Sequence, residues 1–211
     1  MKKNLLFAIF IGIASYSFGQ FNLGLAGGIN VSKLSTDLSD YKNDAMLGYK
    51  AGAFARLGTK LHLQPEIYYS FNKAGFTYNS EDGSDITKVK HVLTFNSIDV
   101  PVLVGYKIFN PPLLNIRLNA GPVASFTTAK EIETTENNLT VTTSEKFEKS
   151  FQIVNWGFQF GGGLDFGFLV FDIRYELGLN NIYNKPDDNQ IGDLSEIKKN
   201  VFFICIGFKI L

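Results

Sequence analysis

The sequence predicts an all-β fold, an eight-stranded antiparallel up-and-down transmembrane β-barrel, and three observations carry that prediction. Apolar residues recur at every second position in segment after segment, as in strands with two unlike faces. The connections between these segments alternate between tight turns and long polar stretches. The polar parity is rich in Gly and Asn and sparse in charge, unlike a surface washed by bulk water. Composition agrees: Phe 20, Tyr 9 and Gly 20 against Met 2 favour sheets over long helices. Charged residues, at 19%, fall below the usual quarter of a soluble domain.

The chain opens on Met1-Lys2-Lys3, continues through the apolar stretch Leu5 to Ala14, and reaches Ser17-Phe18-Gly19, with small residues at both positions a signal peptidase reads. Residues 1–19 are therefore expected to be a cleaved export signal and residues 20–211 a single barrel domain. The apolar stretch is too short to span a bilayer as a helix. Bases and acids number 20 each, and the leader holds two Lys and no acid, so its removal leaves a net charge of −2. A near-neutral chain has no dominant basic face, and no nucleic-acid partner is expected. No cysteine lies near the cleavage site, so a lipid-anchored N-terminus is not expected either. The single Cys205 forms no intramolecular disulfide and reads as a buried, inert thiol.

The first strand, Phe21 to Asn30, sets Phe21, Leu23, Leu25 and Ile29 against Gly and Asn. The second, Gly48 to Leu57, is less regular, with Lys50 and Arg56 on one parity. In the third, Leu61, Leu63, Ile67, Tyr69 and Phe71 alternate with His62, Gln64, Glu66, Tyr68 and Ser70. The fourth turns Ile98, Val100, Val102, Val104 and Tyr106 away from Asp99 and Lys107, and the fifth turns Leu114, Ile116 and Leu118 away from Asn115, Arg117 and Asn119. The sixth contrasts Trp156, Phe158 and Phe160 with Asn155, Gln159 and Asp165; the seventh contrasts Phe171, Ile173 and Leu177 with Asp172, Arg174 and Glu176. The eighth places Phe202, Ile204, Ile206 and Phe208 opposite Phe203, Cys205, Gly207 and Lys209.

Gly58-Thr59-Lys60, Asn110-Pro111-Pro112 and the neighbourhood of Gly167 supply tight turns. The long connections, Val31 to Leu47, Phe76 to His91, Thr128 to Lys149 and Ile182 to Asn200, fall between the other pairs, which puts short periplasmic turns at one end and four long external loops at the other. A soluble barrel would show the same alternation with its faces reversed. The membrane reading is preferred because the apolar faces are uninterrupted by charge and carry aromatics near their ends, among them Tyr69, Phe71, Tyr106, Trp156, Phe166, Tyr175 and Phe208.

The leader, the Gly-rich opening strand and four further runs carry a family resemblance. The runs are Leu63-Gln64-Pro65-Glu66-Ile67-Tyr68-Tyr69-Ser70, Ile98-Asp99-Val100-Pro101-Val102-Leu103, Asn119-Ala120-Gly121-Pro122 and Gly207-Phe208-Lys209-Ile210-Leu211. Over essentially the whole mature chain the sequence resembles the PorT-like outer-membrane β-barrel family. The resemblance implies the bacterial outer membrane as location and implies no activity, since most members have none assigned. Such barrels often end in an aromatic residue that resembles an insertion signal, whereas this chain ends in Leu211, with Phe208 close by.

An eight-stranded barrel encloses space that side chains can fill, which argues against a general porin. The inward parity carries Lys50, Arg56, Glu66, Asp99, Lys107, Arg117, Asp165, Asp172, Arg174, Glu176 and Lys209, six bases and five acids, expected to pair into an ionic network because isolated buried charge is costly. A closed polar plug is the preferred reading, and a narrow gated ion path through the same residues is its alternative.

No catalytic, cofactor or metal site is expected. His62 reads as a lumen residue, and His91 as the end of a loop near Ser84 and Asp85, a grouping without triad geometry. Gly161-Gly162-Gly163 lies inside a strand and reads as close packing, not as a phosphate loop. Asp187, Asp188 and Asp193 match no calcium-loop spacing, and with Lys185, Lys198 and Lys199 read as a solvated charged loop. The third loop, with Thr134, Thr135, Thr140, Thr142 and Thr143, is expected to extend as a β-hairpin offering an edge to partners. The expected function is that of a non-enzymatic barrel in contact with outer-membrane lipid and lipopolysaccharide, acting through its loops on envelope proteins or extracellular ligands. A part in a protein-secretion apparatus, implied by the resemblance alone, is the alternative.

Overall fold

The computed structural model describes residues 21–36, 42–82, 85–111, 113–136, 139–142, 153–181 and 197–211. Nine strands are seen: β1 Phe21–Thr36, β2 Lys42–Gly58, β3 Leu61–Asp82, β4 Asp85–Phe109, β5 Leu114–Glu136, β6 Leu139–Thr142, β7 Val154–Phe166, β8 Leu169–Gly178 and β9 Ile197–Lys209. Eight of them close an antiparallel barrel in the order β1, β2, β3, β4, β5, β7, β8, β9, with β9 pairing back onto β1. Closure is complete to the chain's end, where the Leu23 amide donates to the Leu211 carbonyl at 3.0 Å and the Ile210 amide to the Leu23 carbonyl at 2.7 Å. A closed ladder leaves no strand edge facing hydrocarbon, the condition for a sheet to cross a bilayer.

Tight turns close one end. Gly58, with φ of 120°, leads through Thr59 and Lys60 into β3, and Gly167, with φ of 58°, joins β7 to β8 through Phe168. Both conformations lie in the left-handed region that glycine enters without a Cβ penalty.

The period-two faces are oriented as lipid exposure requires. Ile29, Ile67, Val104, Leu118, Ile173 and Ile206 are between 54% and 56% exposed on the outer wall, while their strand neighbours turn inward and, Gly28 apart, are buried. So broad an exposed apolar surface is untenable in water and ordinary in lipid. Aromatic side chains ring both ends of this band. Phe21, Tyr106, Phe109, Phe166, Phe168 and Phe208 stand on the outside at the turn end, and Tyr49, Phe126 and Trp156 on the outside at the other end. On β7, Trp156 and Phe166 are ten residues apart. At ~3.4 Å per residue and a tilt of ~40° that separation spans ~26 Å along the barrel axis, the height of an outer-membrane hydrocarbon band.

The strands run much farther on the loop side than their apolar pattern suggests. Phe76 to His91, expected as a polar connection, is a β3–β4 hairpin whose pairing continues to Asp82 opposite Asp85. His91 therefore lies within β4 and does not end a loop. The third loop is a hairpin as expected: Glu133–Glu136 of β5 pairs with Leu139–Thr142 of β6, and the same stretch of β5 pairs on its other side with β4. Polar residues predominate along this stretch, so the period-two apolar signal fades while the ladder continues.

Two outcomes check this placement. Ile173→Arg puts a charge on the lipid face between the two aromatic rings. It should lower folding stability in phospholipid vesicles by about 2–4 kcal/mol, read from denaturant titration. Trp156 is the sole tryptophan and is 55% exposed. Its emission in the folded barrel should be strongly quenched by brominated lipid.

Candidate functional site

The inward parity converges on the barrel axis, where alternation places every second residue of all eight strands. Arg56, Glu66, Asp99, Arg117, Asp165, Asp172, Arg174 and Glu176 are each at most 5% exposed. Asp165 on β7 is the hub of the turn-side half. Its Oδ2 accepts from Arg56 Nη1 at 2.6 Å and lies 3.2 Å from Lys209 Nζ, and its Oδ1 accepts from Arg117 Nη1 at 2.8 Å. Arg117 Nη2 donates to Asp172 Oδ2 at 2.6 Å, and Asp172 Oδ1 lies 3.2 Å from Arg174 Nη2. Arg174 also grips Glu66 with two bonds, Nη1 to Oε2 at 2.7 Å and Nη2 to Oε1 at 2.8 Å. This fork-on-fork geometry is the strong form of an Arg–carboxylate pair.

Neutral side chains, not singled out in the sequence, complete the chain of bonds. Gln64 accepts from Arg56 Nε at 2.9 Å and donates to Glu66 Oε1 at 2.5 Å. Gln159 donates to Glu176 at 2.8 Å. Toward the loop end, Asp99 accepts from Ser70 at 2.5 Å and from Ser97 at 2.9 Å and lies 4.0 Å from Lys50 Nζ. The Lys50 ammonium sits 3.9 Å from the centroid of Phe203 and 4.7 Å from that of Tyr68, so two inward aromatic faces share its charge.

One expectation is corrected. Lys199 does not belong to a solvated loop: it is 6% exposed on β9, 3.6 Å from Glu176 Oε1 and 5.6 Å from the centroid of Phe95. Strand β9 begins at Ile197, two residues before it, and its parity turns Lys199 inward.

Glycines make room for this interior. A Cβ at Gly163 would collide with the Arg117 guanidinium, and one at Gly161 with the β8 backbone at Ile173 and Arg174. The Gly161–Gly163 run thus lets β7 approach β8 closely and lets Arg117 lie flat across the lumen.

Among the described residues, the others singled out in the sequence are not brought together. His62 is buried on β3, where its ring and the Asn119 side chain both lie against Gly105. Asp85 and His91 share one strand six residues apart, about 20 Å at ordinary strand rise, which is outside triad geometry. Ser84, Asp187, Asp188 and Asp193 lie outside the described residues. Among the described residues no three His, Cys, Asp or Glu side chains are grouped as a metal would need. Cys205 is a free, buried thiol.

The profile of the outer membrane protein beta-barrel domain family matches residues 14–184. No curated protein matches in sequence. Among solved structures, the chain is similar to the attachment invasion locus protein Ail of Yersinia pestis, with 12% identity, TM-score 0.45, and 90% of this chain and 99% of that one covered. It is similar to the outer membrane protein OprG of Pseudomonas aeruginosa, with 13% identity, TM-score 0.46, and 90% and 95% covered. It is also similar to Neisserial surface protein A, with 9% identity, TM-score 0.43, and 89% and 97% covered.

The Arg174–Glu66 pair supplies the decisive stability test. Removing one partner strands a buried charge, so Glu66→Met or Arg174→Met alone should cost about 3–5 kcal/mol, whereas the double Met variant should recover most of that loss in the same denaturant titration.

Proposed function

Since the chain belongs to the outer membrane protein β-barrel domain family, we propose that it is a non-enzymatic outer-membrane barrel with a closed lumen that engages partners through its loop-side projection. One observation carries this reading. Strands β3, β4, β5 and β6 continue as a paired sheet past the aromatic ring, and β6 closes it with a single partner, β5, among the described residues. From Asn96 to Asp85 the projection extends about 35 Å along β4 at ordinary strand rise. Such an edge presents backbone donors and acceptors to an incoming strand, whose pairing supplies affinity while side chains supply selectivity.

The lumen supports the same division of labour. Arg56, Arg117 and Arg174 cross it, each at most 2% exposed and held by carboxylates, and this supports a closed plug over a conducting path. Cleavage after Gly19 and contact with lipopolysaccharide around the loop-side ring belong to this proposal. So does a protein of the envelope or of a secretion apparatus as the partner at the β6 edge.

A photo-crosslinking residue at Val141 on β6 should give a discrete adduct in intact cells that the same residue at lipid-facing Ile204 does not give. Absence of any Val141-specific adduct overturns the reading. In planar bilayers the purified barrel should give no steady conductance steps, and steps would replace the closed plug by a channel. Deletion of the gene followed by comparison of secreted proteins tests the secretion role, which an unchanged set excludes.

A further inference from the structure

Three consecutive strands of the closed wall carry a proline, Pro65 on β3, Pro101 on β4 and Pro122 on β5. Proline has no N–H to give a ladder and is ordinarily confined to sheet edges, of which a closed barrel has none. Each of the three coincides with a break in pairing toward the preceding strand. Between β2 and β3 the ladder passes from Phe54 opposite Glu66 to Leu57 opposite Leu63, skipping Pro65. Between β3 and β4 it passes from Pro65 opposite Val102 to Tyr68 opposite Asp99, skipping Pro101. Between β4 and β5 it passes from Pro101 opposite Val123 to Val104 opposite Ala120, skipping Pro122. Among the described residues the other five seams of the barrel pair residue by residue without such a gap.

The three gaps lie side by side. Pro65 is opposite Val102, the neighbour of Pro101, and Pro101 is opposite Val123, the neighbour of Pro122. Pro122 stands four residues from Phe126 of the loop-side ring, and Pro101 five from Tyr106 of the turn-side ring. The belt therefore lies within the hydrocarbon band, where no water replaces a missing backbone bond. Side chains do little to brace it. The inward positions of β4 at this level are Pro101, Leu103 and Gly105, and those of β5 are Gly121 and Val123, all buried and none charged. By comparison, β2 and β3 are tied across the lumen through Arg56–Asp165 and Glu66–Arg174. Backbone and lumen together leave the middle of β4 weakly held, among the strands that carry the loop-side projection.

We propose that Pro65, Pro101 and Pro122 form a yield line, a belt at which the β3–β5 side of the wall parts locally and recloses while the β8–β9 side stays shut. It is a conformational device of the wall and stands or falls separately from the partner at the β6 edge. A residue with an N–H at any of the three positions returns a donor to the ladder, so the device is separable from the fold.

The test is hydrogen–deuterium exchange of the full barrel in phospholipid nanodiscs, read by mass spectrometry of peptides. Amides within 63–69, 99–105 and 118–124 should exchange about tenfold or more faster than those within 170–176 and 201–207 on the opposite wall, because local opening exposes them first. Pro101→Val and Pro122→Val should each slow exchange around the belt about tenfold, the worth of one backbone bond regained, and leave β8 and β9 unchanged. Ile204→Val on the opposite wall should leave the belt at its wild-type rate. Heat-dependent mobility on a detergent gel certifies the fold of each variant, and either proline variant that folds suffices. Equal protection of the two walls overturns the proposal. So does fast exchange at the belt that the folded proline variants leave unchanged, or a slowing that they produce equally in β8 and β9.

Discussion

A bilayer offers no water to an unpaired amide, and the rest of the structure follows from that constraint. The sheet must close, so β9 returns to β1 and the chain's last residues are stitched to Leu23. Closure with eight strands makes the enclosed space narrow. Alternation then assigns every residue of the wall either to lipid or to that narrow space, and charge has only the second choice. Arginine and carboxylate therefore meet along the axis, with Gln64, Gln159, Ser70 and Ser97 supplying the hydrogen bonds that ion pairs alone leave unmade.

The faces of the strands were readable because lipid and lumen demand opposite chemistry. Alternation from Leu61 to Phe71 or from Phe171 to Leu179 needs no partner to be recognised. The ends of the strands were not readable, since outside the bilayer that contrast disappears and a segment such as Phe76 to His91 looks like any polar loop. The hairpin from Glu133 to Thr142 was legible by another signal, its run of β-favouring threonines.

The lumen shows the same division. Parity named the charged residues that point inward, but which of them meet depends on the stagger between strands far apart in sequence, as for Arg56 and Asp165 or Glu66 and Arg174. Lys199 reads as part of a solvated loop in the sequence because it stands between Lys198 and Asn200, in a polar run whose strand begins only at Ile197. Arg56 Nη2, without a hydrogen-bond partner among the described residues, carries no sequence signal, because that is a property of geometry alone.

The longest ion pairs also have a mechanical reading. In the ring of eight, β2 stands four places from β7 and β3 four places from β8, so Arg56–Asp165 and Arg174–Glu66 run across the diameter like two spokes. A thin cylinder in a membrane yields most easily by ovalising under lateral pressure, and a wall held only by ladder bonds resists that mode weakly. Spokes that cross the centre turn the cylinder into a braced wheel. The circular cross-section is then held from within, and the wall is free to slide through a fluid whose thickness and tension vary.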